Sequence, residues 1–236
     1  MKSSDLGALA ALTAARAGVL RRIETAARRA GRDPANVRLV AVTKTVAPER
    51  VRAAIAAGLD IVGENRVQDA ETKKALVVGA TWHLIGPLQS NKAGRAVATF
   101  DVIESVDSLD LARRLDRLVG EHRPGRPLPV LLQVNVDGDP DKAGFQPAAL
   151  ERDLIELLGL DGLRVDGLMT IGRLVSDPEQ ARSTFAALRS LSDRLRSQHP
   201  GIGGDLSMGM SDDFPVAIQE GATIIRVGRA LFGDRA

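Results

Sequence analysis

Residues 37–64 read VRLVAVTKTVAPERVRAAIAAGLDIVGE, and this stretch decides the fold. It opens on a β-branched run, 37–45, whose apolar residues are close to continuous rather than alternating. Strands buried on both faces of a parallel sheet have that composition. Pro48 then starts a helical pattern over 48–57, and a second short β-branched run follows at 60–64. A strand, a helix and another strand in succession imply a parallel pair joined by a crossover helix.

The unit recurs along the chain. Further runs at 81–86, 101–106, 129–136, 165–171, 206–210 and 223–228 bring the number of predicted strands to eight. Helical patterns at 66–76, 109–120 and 148–158 separate them. Asp177 and Pro178 set an N-cap and a first-turn proline ahead of the stripe Phe185, Leu188, Leu191 and Leu195. The helices after the third and seventh strands are expected to be short. This order points to one α/β domain over 1–236, a closed (β/α)8 TIM-type barrel. An open doubly wound sheet is the alternative, and the absence of G-x-G-x-x-G after the first strand weakens a dinucleotide reading of it. Leu9, Leu12, Val19 and Ile23 fall on one stripe, which predicts an N-terminal helix over 3–30 packed on the barrel. Asp5, Arg16, Arg21, Arg22 and Glu24 speak against reading the same segment as a signal peptide.

Composition narrows the function. A chain of 236 residues suits one barrel. The net charge is +2 and aromatics make up 3% of the chain, so there is no electrostatic or stacking case for nucleic acid or for an anionic membrane surface. No apolar run reaches the ~18 residues that a membrane span needs. There is no cysteine, which excludes disulfides and thiolate chemistry and agrees with a cytoplasmic location. Three scattered histidines have no metal-ligand spacing, so no metal is expected.

In such a barrel, chemistry sits at the C-terminal ends of the strands. Lys44 stands at the end of the first. The chain holds 26 arginines and only six lysines, so a lysine in that position suggests that an amine is required. An amine condenses with an aldehyde to form an imine, and a guanidinium does not. Partial burial at the barrel mouth would favour the neutral amine. On position alone, Lys44 reads equally as a strand-end lysine in solvent. Gly209, Ser211, Gly228 and Arg229 lie in the loops after strands seven and eight, where barrels often bind phosphate. Taken alone, the two glycines also read as tight turns. Arg226 precedes Gly228 by two residues, so alternation puts both on the same side of the sheet. His83 is expected to be a hydrogen-bonded core histidine, Glu64 to pair with a neighbouring arginine, and Asp212 and Asp213 to cap the following helix.

The Lys44 strand, 63–68, 82–92, 142–144, 167–169, 209–213 and 226–233 together resemble the pyridoxal-phosphate homeostasis protein family. That family is similar to the N-terminal barrel of alanine racemase without its second domain. The resemblance implies a pyridoxal 5'-phosphate cofactor held as a Schiff base on Lys44. It implies that Ser211, Gly228 and Arg229 hold the phosphate, that Arg226 is the partner of the pyridine nitrogen, and that Asn65 neighbours the ring. Arg66 departs from the family, where many members carry an aromatic residue. The implied role is to carry or buffer the cofactor and support vitamin B6 and amino-acid homeostasis, without robust catalysis, with apo forms of pyridoxal-phosphate enzymes as partners.

The alternative from a different class is a fold-type III enzyme, an amino-acid racemase or decarboxylase. Two-base racemisation needs acid–base groups on both faces of the reacting carbon. In alanine racemase a tyrosine from the second domain serves one face. This chain has no tyrosine, which favours the carrier.

Overall fold

A computed structural model describes residues 3–172 and 175–233, with side chains from residue 6 onward. Its eight strands are β1 (Arg38–Val42), β2 (Ile61–Glu64), β3 (Thr81–Leu84), β4 (Val102–Val106), β5 (Leu128–Gln133), β6 (Leu163–Met169), β7 (Asp205–Ser207) and β8 (Ile224–Val227). All pair in parallel, each with its neighbour in sequence, and β1 pairs with β8 to close the barrel. The open-sheet alternative is thereby excluded. Most strands are shorter than their apolar runs, because the buried stretch continues past the last ladder bond. Lys44 accordingly lies not in β1 but in the turn that follows it.

Helices α2 (Pro48–Ala56), α3 (Val67–Lys74), α4 (Ala93–Thr99), α5 (Leu109–His122), α6 (Pro147–Leu158), α7 (Arg182–Gln198), α8 (Phe214–Gln219) and α9 (Arg229–Phe232) follow the strands in order. The third and seventh strands are indeed followed by short helices. Asp177 caps its helix as expected, accepting the Glu179 N–H at 3.0 Å, but the first turn is 3-10 and α7 begins only at Arg182. The N-terminal helix α1 (Ser3–Arg29) buries Leu12, Val19, Ile23, Ala26 and Ala27 and lies against α2, α8 and α9. Among the described residues no helix is long and apolar enough to cross a membrane.

Period-two alternation sorts the strand residues into two cores. The larger lies between sheet and helices. The smaller fills the barrel and consists of Val40, Leu131, Met169 and Ile224, with Ile61 against them. Continuing the same parity up each strand places Gly63, His83, Glu104, Ser207, Arg226 and Gly228 on the inner side. Gly63 leaves room for its neighbours there: a Cβ would stand 2.8 Å from Val40 Cγ1 and 2.9 Å from Ile85 Cδ1.

Glu64 has the opposite parity and points towards α3. The expected arginine partner is corrected by the structure: its partner is Lys73, whose ammonium lies 2.6 Å from Glu64 Oε1 and donates to the Thr43 carbonyl at 2.7 Å. Thr43 adds a hydroxyl bond to the same carboxylate oxygen at 2.6 Å. Arg66 is exposed, whereas one further turn of α3 carries residue 73 back over the strand ends. This buried pair clamps α3 to the last residue before Lys44.

Removing one partner of a buried ion pair leaves an uncompensated charge, at a cost of about 3–5 kcal/mol. Lys73→Met should lower the unfolding free energy on that scale in denaturant titrations, and adding Glu64→Leu should recover most of the loss. A single-variant loss under about 1 kcal/mol, the scale of exposed pairs, would mean that the clamp carries little of the stability.

Candidate functional site

The C-terminal ends of the strands bring the expected residues to one end of the barrel. β1 and β8 are neighbours, with Val40 opposite Arg226 and Ala41 opposite Val227. Lys44 and Gly228 therefore lie just beyond two paired strands. The Lys44 turn is closed by the Val46 N–H on the Thr43 carbonyl at 2.9 Å. Thr45 in this turn has φ 66°, the only non-glycine residue with positive φ among those described. A left-handed conformation costs a non-glycine residue of order 1–2 kcal/mol, so the surrounding contacts hold the turn in place. Lys44 itself is half-buried.

Asn65 follows β2 on the next strand and is also half-buried. Its backbone is seated on Gly86, where a Cβ would come within 2.5 Å of the Asn65 carbonyl oxygen. A glycine at 86 is thus what lets the loops after β2 and β3 touch.

The loops after β7 and β8 meet through Ser211, whose hydroxyl accepts the Ala230 N–H at 3.3 Å. Gly228 is the N-cap residue of α9. Arg229 is ion-paired with Asp212 across the two loops, and both side chains are exposed. Asp212 is therefore a loop-to-loop partner and not a helix cap. Asp213 departs from the expectation too. It occupies the N-cap position of α8 but in an αR conformation, and its carboxylate turns back to accept the Met210 N–H at 2.6 Å. Burial pushes the Asp213 carboxyl up from its ordinary range, against that hydrogen bond and the charge of Arg226. Gly209 has φ 92°, and a Cβ there would meet Ala217 Cβ at 2.6 Å. Its lack of a side chain is thus already required by the packing of α8.

Below these loops the barrel interior is charged. Arg226 is buried and donates to Ser207 Oγ at 2.6 Å and to the Thr170 carbonyl at 2.8 Å. The Ser207 hydroxyl lies 2.5 Å from Glu104 Oε2, and Glu104 Oε1 lies 2.6 Å from His83 Nδ1. His83 is thus a hydrogen-bonded interior histidine, as expected. Burial pulls the Glu104 carboxyl upward, but the bonds and charges of His83, Arg226 and Ser207 together hold it below its ordinary value. Burial lowers the Arg226 pKa, and the charges of Glu104 and Asp213 oppose that shift.

Sequence reasoning found Arg226 but missed Glu104, Ser207 and Thr170 as its surroundings. One signal was present: Glu104 is the only charged residue in VIESV, an otherwise uncharged buried strand. The arrangement can present an amine, an inward guanidinium and a pair of loops bearing N–H and hydroxyl donors at one barrel mouth. Among the described residues no cluster of His, Cys, Asp or Glu could hold a metal ion.

Residues 16–236 match the family model of the alanine racemase N-terminal domain. A pyridoxal phosphate homeostasis protein of Pseudomonas aeruginosa is 45% identical over 224 residues, covering 93% of this chain and 94% of the relative. Its counterpart in Aquifex aeolicus is 40% identical, over 92% of this chain and 95% of the relative. Among solved structures, PipY of Synechococcus elongatus with pyridoxal phosphate bound shares 44% identity at a TM-score of 0.80, over 90% of this chain and all of that one (100%). An alanine racemase of Clostridium difficile shares the fold at 15% identity and a TM-score of 0.71, over 92% of this chain and 59% of that one. Together with the closed barrel, these matches establish that the chain belongs to the pyridoxal phosphate homeostasis protein family, whose barrel is that of the alanine racemase N-terminal domain.

Proposed function

We propose that this protein is a single-domain carrier or buffer of pyridoxal 5'-phosphate, acting in the cytoplasm in vitamin B6 and amino-acid homeostasis. The observation that carries the reading is the buried Arg226, held inside the barrel on the strand paired with that of Lys44. The residues fit the cofactor by the chemistry of their donors. When bound, the cofactor supplies an aldehyde that condenses reversibly with a primary amine and a pyridine ring that can withdraw electrons. Lys44 is the amine, attached covalently as a Schiff base. Arg226 donates a hydrogen bond to the ring nitrogen, and Asn65 borders the ring. Ser211, Gly228 and Arg229 hold the phosphate. The relatives' names and the cofactor-bound PipY support the same cofactor.

The side chains favour storage over turnover. A guanidinium is effectively always protonated, so at the ring nitrogen it donates a hydrogen bond while its charge opposes protonation there. A neutral pyridine is a poor electron sink, and carbanion chemistry gains little support from it. The chain also has no tyrosine to serve as the second acid–base group of a racemase. Handover to apo forms of pyridoxal-phosphate enzymes completes the proposed role.

Protein purified with its cofactor should be yellow, and borohydride should fix the pyridoxyl group on Lys44, read by peptide mass spectrometry. An adduct on Lys92 or Lys142 in its place would overturn the assignment. Ser211→Asp sets a negative charge beside the proposed phosphate and should weaken retention strongly in equilibrium dialysis; unchanged affinity would remove Ser211 from the site. Deuterium exchange at the α-carbon of common L-amino acids should stay far below ordinary turnover of about 1–10³ per second. Exchange at that rate would make the protein a fold-type III enzyme.

A further inference from the structure

Polar side chains from four strands form one line of contacts across the barrel, from Arg226 on β8 through Ser207 on β7 and Glu104 on β4 to His83 on β3. Chemistry fixes the direction of its bonds. A guanidinium only donates, so Arg226 Nη1 gives its proton to Ser207 Oγ. The single hydroxyl proton of Ser207 then goes to Glu104 Oε2, 2.5 Å away. Glu104 Oε1 is engaged by His83, so the carboxylate is tied at both oxygens. Glu104 Oε2 lies 3.9 Å from Arg226 Nη1, beyond a direct bond but close enough for the buried charges to compensate one another.

The barrel does not need this set in order to close. Val40, Leu131, Met169 and Ile224 fill the rest of the barrel interior with apolar atoms. Buried ionic groups are often no more stabilising than an apolar replacement, so the line calls for a reason other than stability. Its evident effect is on one group. Ser207 and the Thr170 carbonyl take an N–H from each of the two terminal nitrogens of Arg226 and so fix the plane of the guanidinium. Glu104 offsets its charge from the side of β4, and Asp213 contributes from the loop after β7.

We infer that Ser207 and Glu104 are positioning residues for the cofactor ring. Acting through Arg226, they fix the direction of its remaining N–H groups and set how much positive charge the ring nitrogen feels. The inference rests on the proposed reading of Arg226 as the partner of that nitrogen.

The test uses the full chain loaded with ring-¹⁵N pyridoxal phosphate. Ser207→Ala removes the bridge and leaves every charge in place. It should weaken cofactor retention by about tenfold, the scale of one hydrogen bond to a charged group, and shift the ring-nitrogen resonance; Ser207→Thr should restore both. Glu104→Gln should lower the proton affinity of the ring nitrogen further, with the borohydride adduct still on Lys44. In cofactor-free protein, the guanidinium resonances of Arg226 should show hindered rotation in the wild type and averaging in Ser207→Ala. If Glu104→Gln does not fold, the serine pair decides the matter. Unchanged retention and ring resonance in Ser207→Ala would overturn the inference and leave the cofactor on Lys44. A wild type with no adduct on Lys44, or with a protonated ring nitrogen at neutral pH, would overturn the underlying reading and the inference with it.

Discussion

The pairing of β1 with β8 is the constraint on which the rest of the molecule depends. Four residues of β1, Arg38 to Ala41, are matched with Ile224 to Val227. Closure leaves no strand edge exposed, so every strand is satisfied on both sides. It also brings the first strand of the barrel beside the last, and this is how Lys44 comes to stand near Gly228 and above Arg226. In an open sheet of the same strands, those residues would lie at opposite margins.

The interior of the barrel mixes apolar and polar side chains. Val40, Leu131, Met169 and Ile224 stabilise it by burial; among them stand His83, Glu104 and Arg226, which are expensive to remove from water unless paired. Each has a partner there. A second buried pair, Glu64 with Lys73, lies on the outer face of the sheet and braces the chain just before the Lys44 turn. The two systems fall on opposite faces of the sheet because strand residues alternate, and both end at the same mouth.

Much of this was legible in the sequence. The near-continuous apolar runs marked every strand, and the helical stripes between them implied parallel crossovers. The scarcity of lysine singled out Lys44, and two-residue parity put Arg226 with Gly228. Less could be read where partners come from distant strands. Nothing local tells that Ser207 meets Glu104, since 103 residues separate them. The partner of Glu64 was misassigned because it depends on how α3 crosses back over the strand ends, and neighbours in sequence do not report that. Asp213 shows a similar limit: its place before a helix suggested a cap, but its αR backbone directs the carboxylate to the preceding turn.

The seat of α1 bears on how the chain assembles. This helix, at the start of the described residues, rests on α2, α8 and α9, the last two of which follow the seventh and eighth strands. Its apolar stripe, Leu12, Val19, Ile23, Ala26 and Ala27, therefore lacks most of its cover until β7, β8 and the helices after them have been made. Contacts so distant in sequence must meet the entropy of closing a long loop before they give any stability in return, which slows folding. During synthesis on the ribosome α1 would be among the longest-waiting elements, a sticky surface suited to transient protection by a chaperone. Its docking would act as a late latch, registering that the barrel has closed.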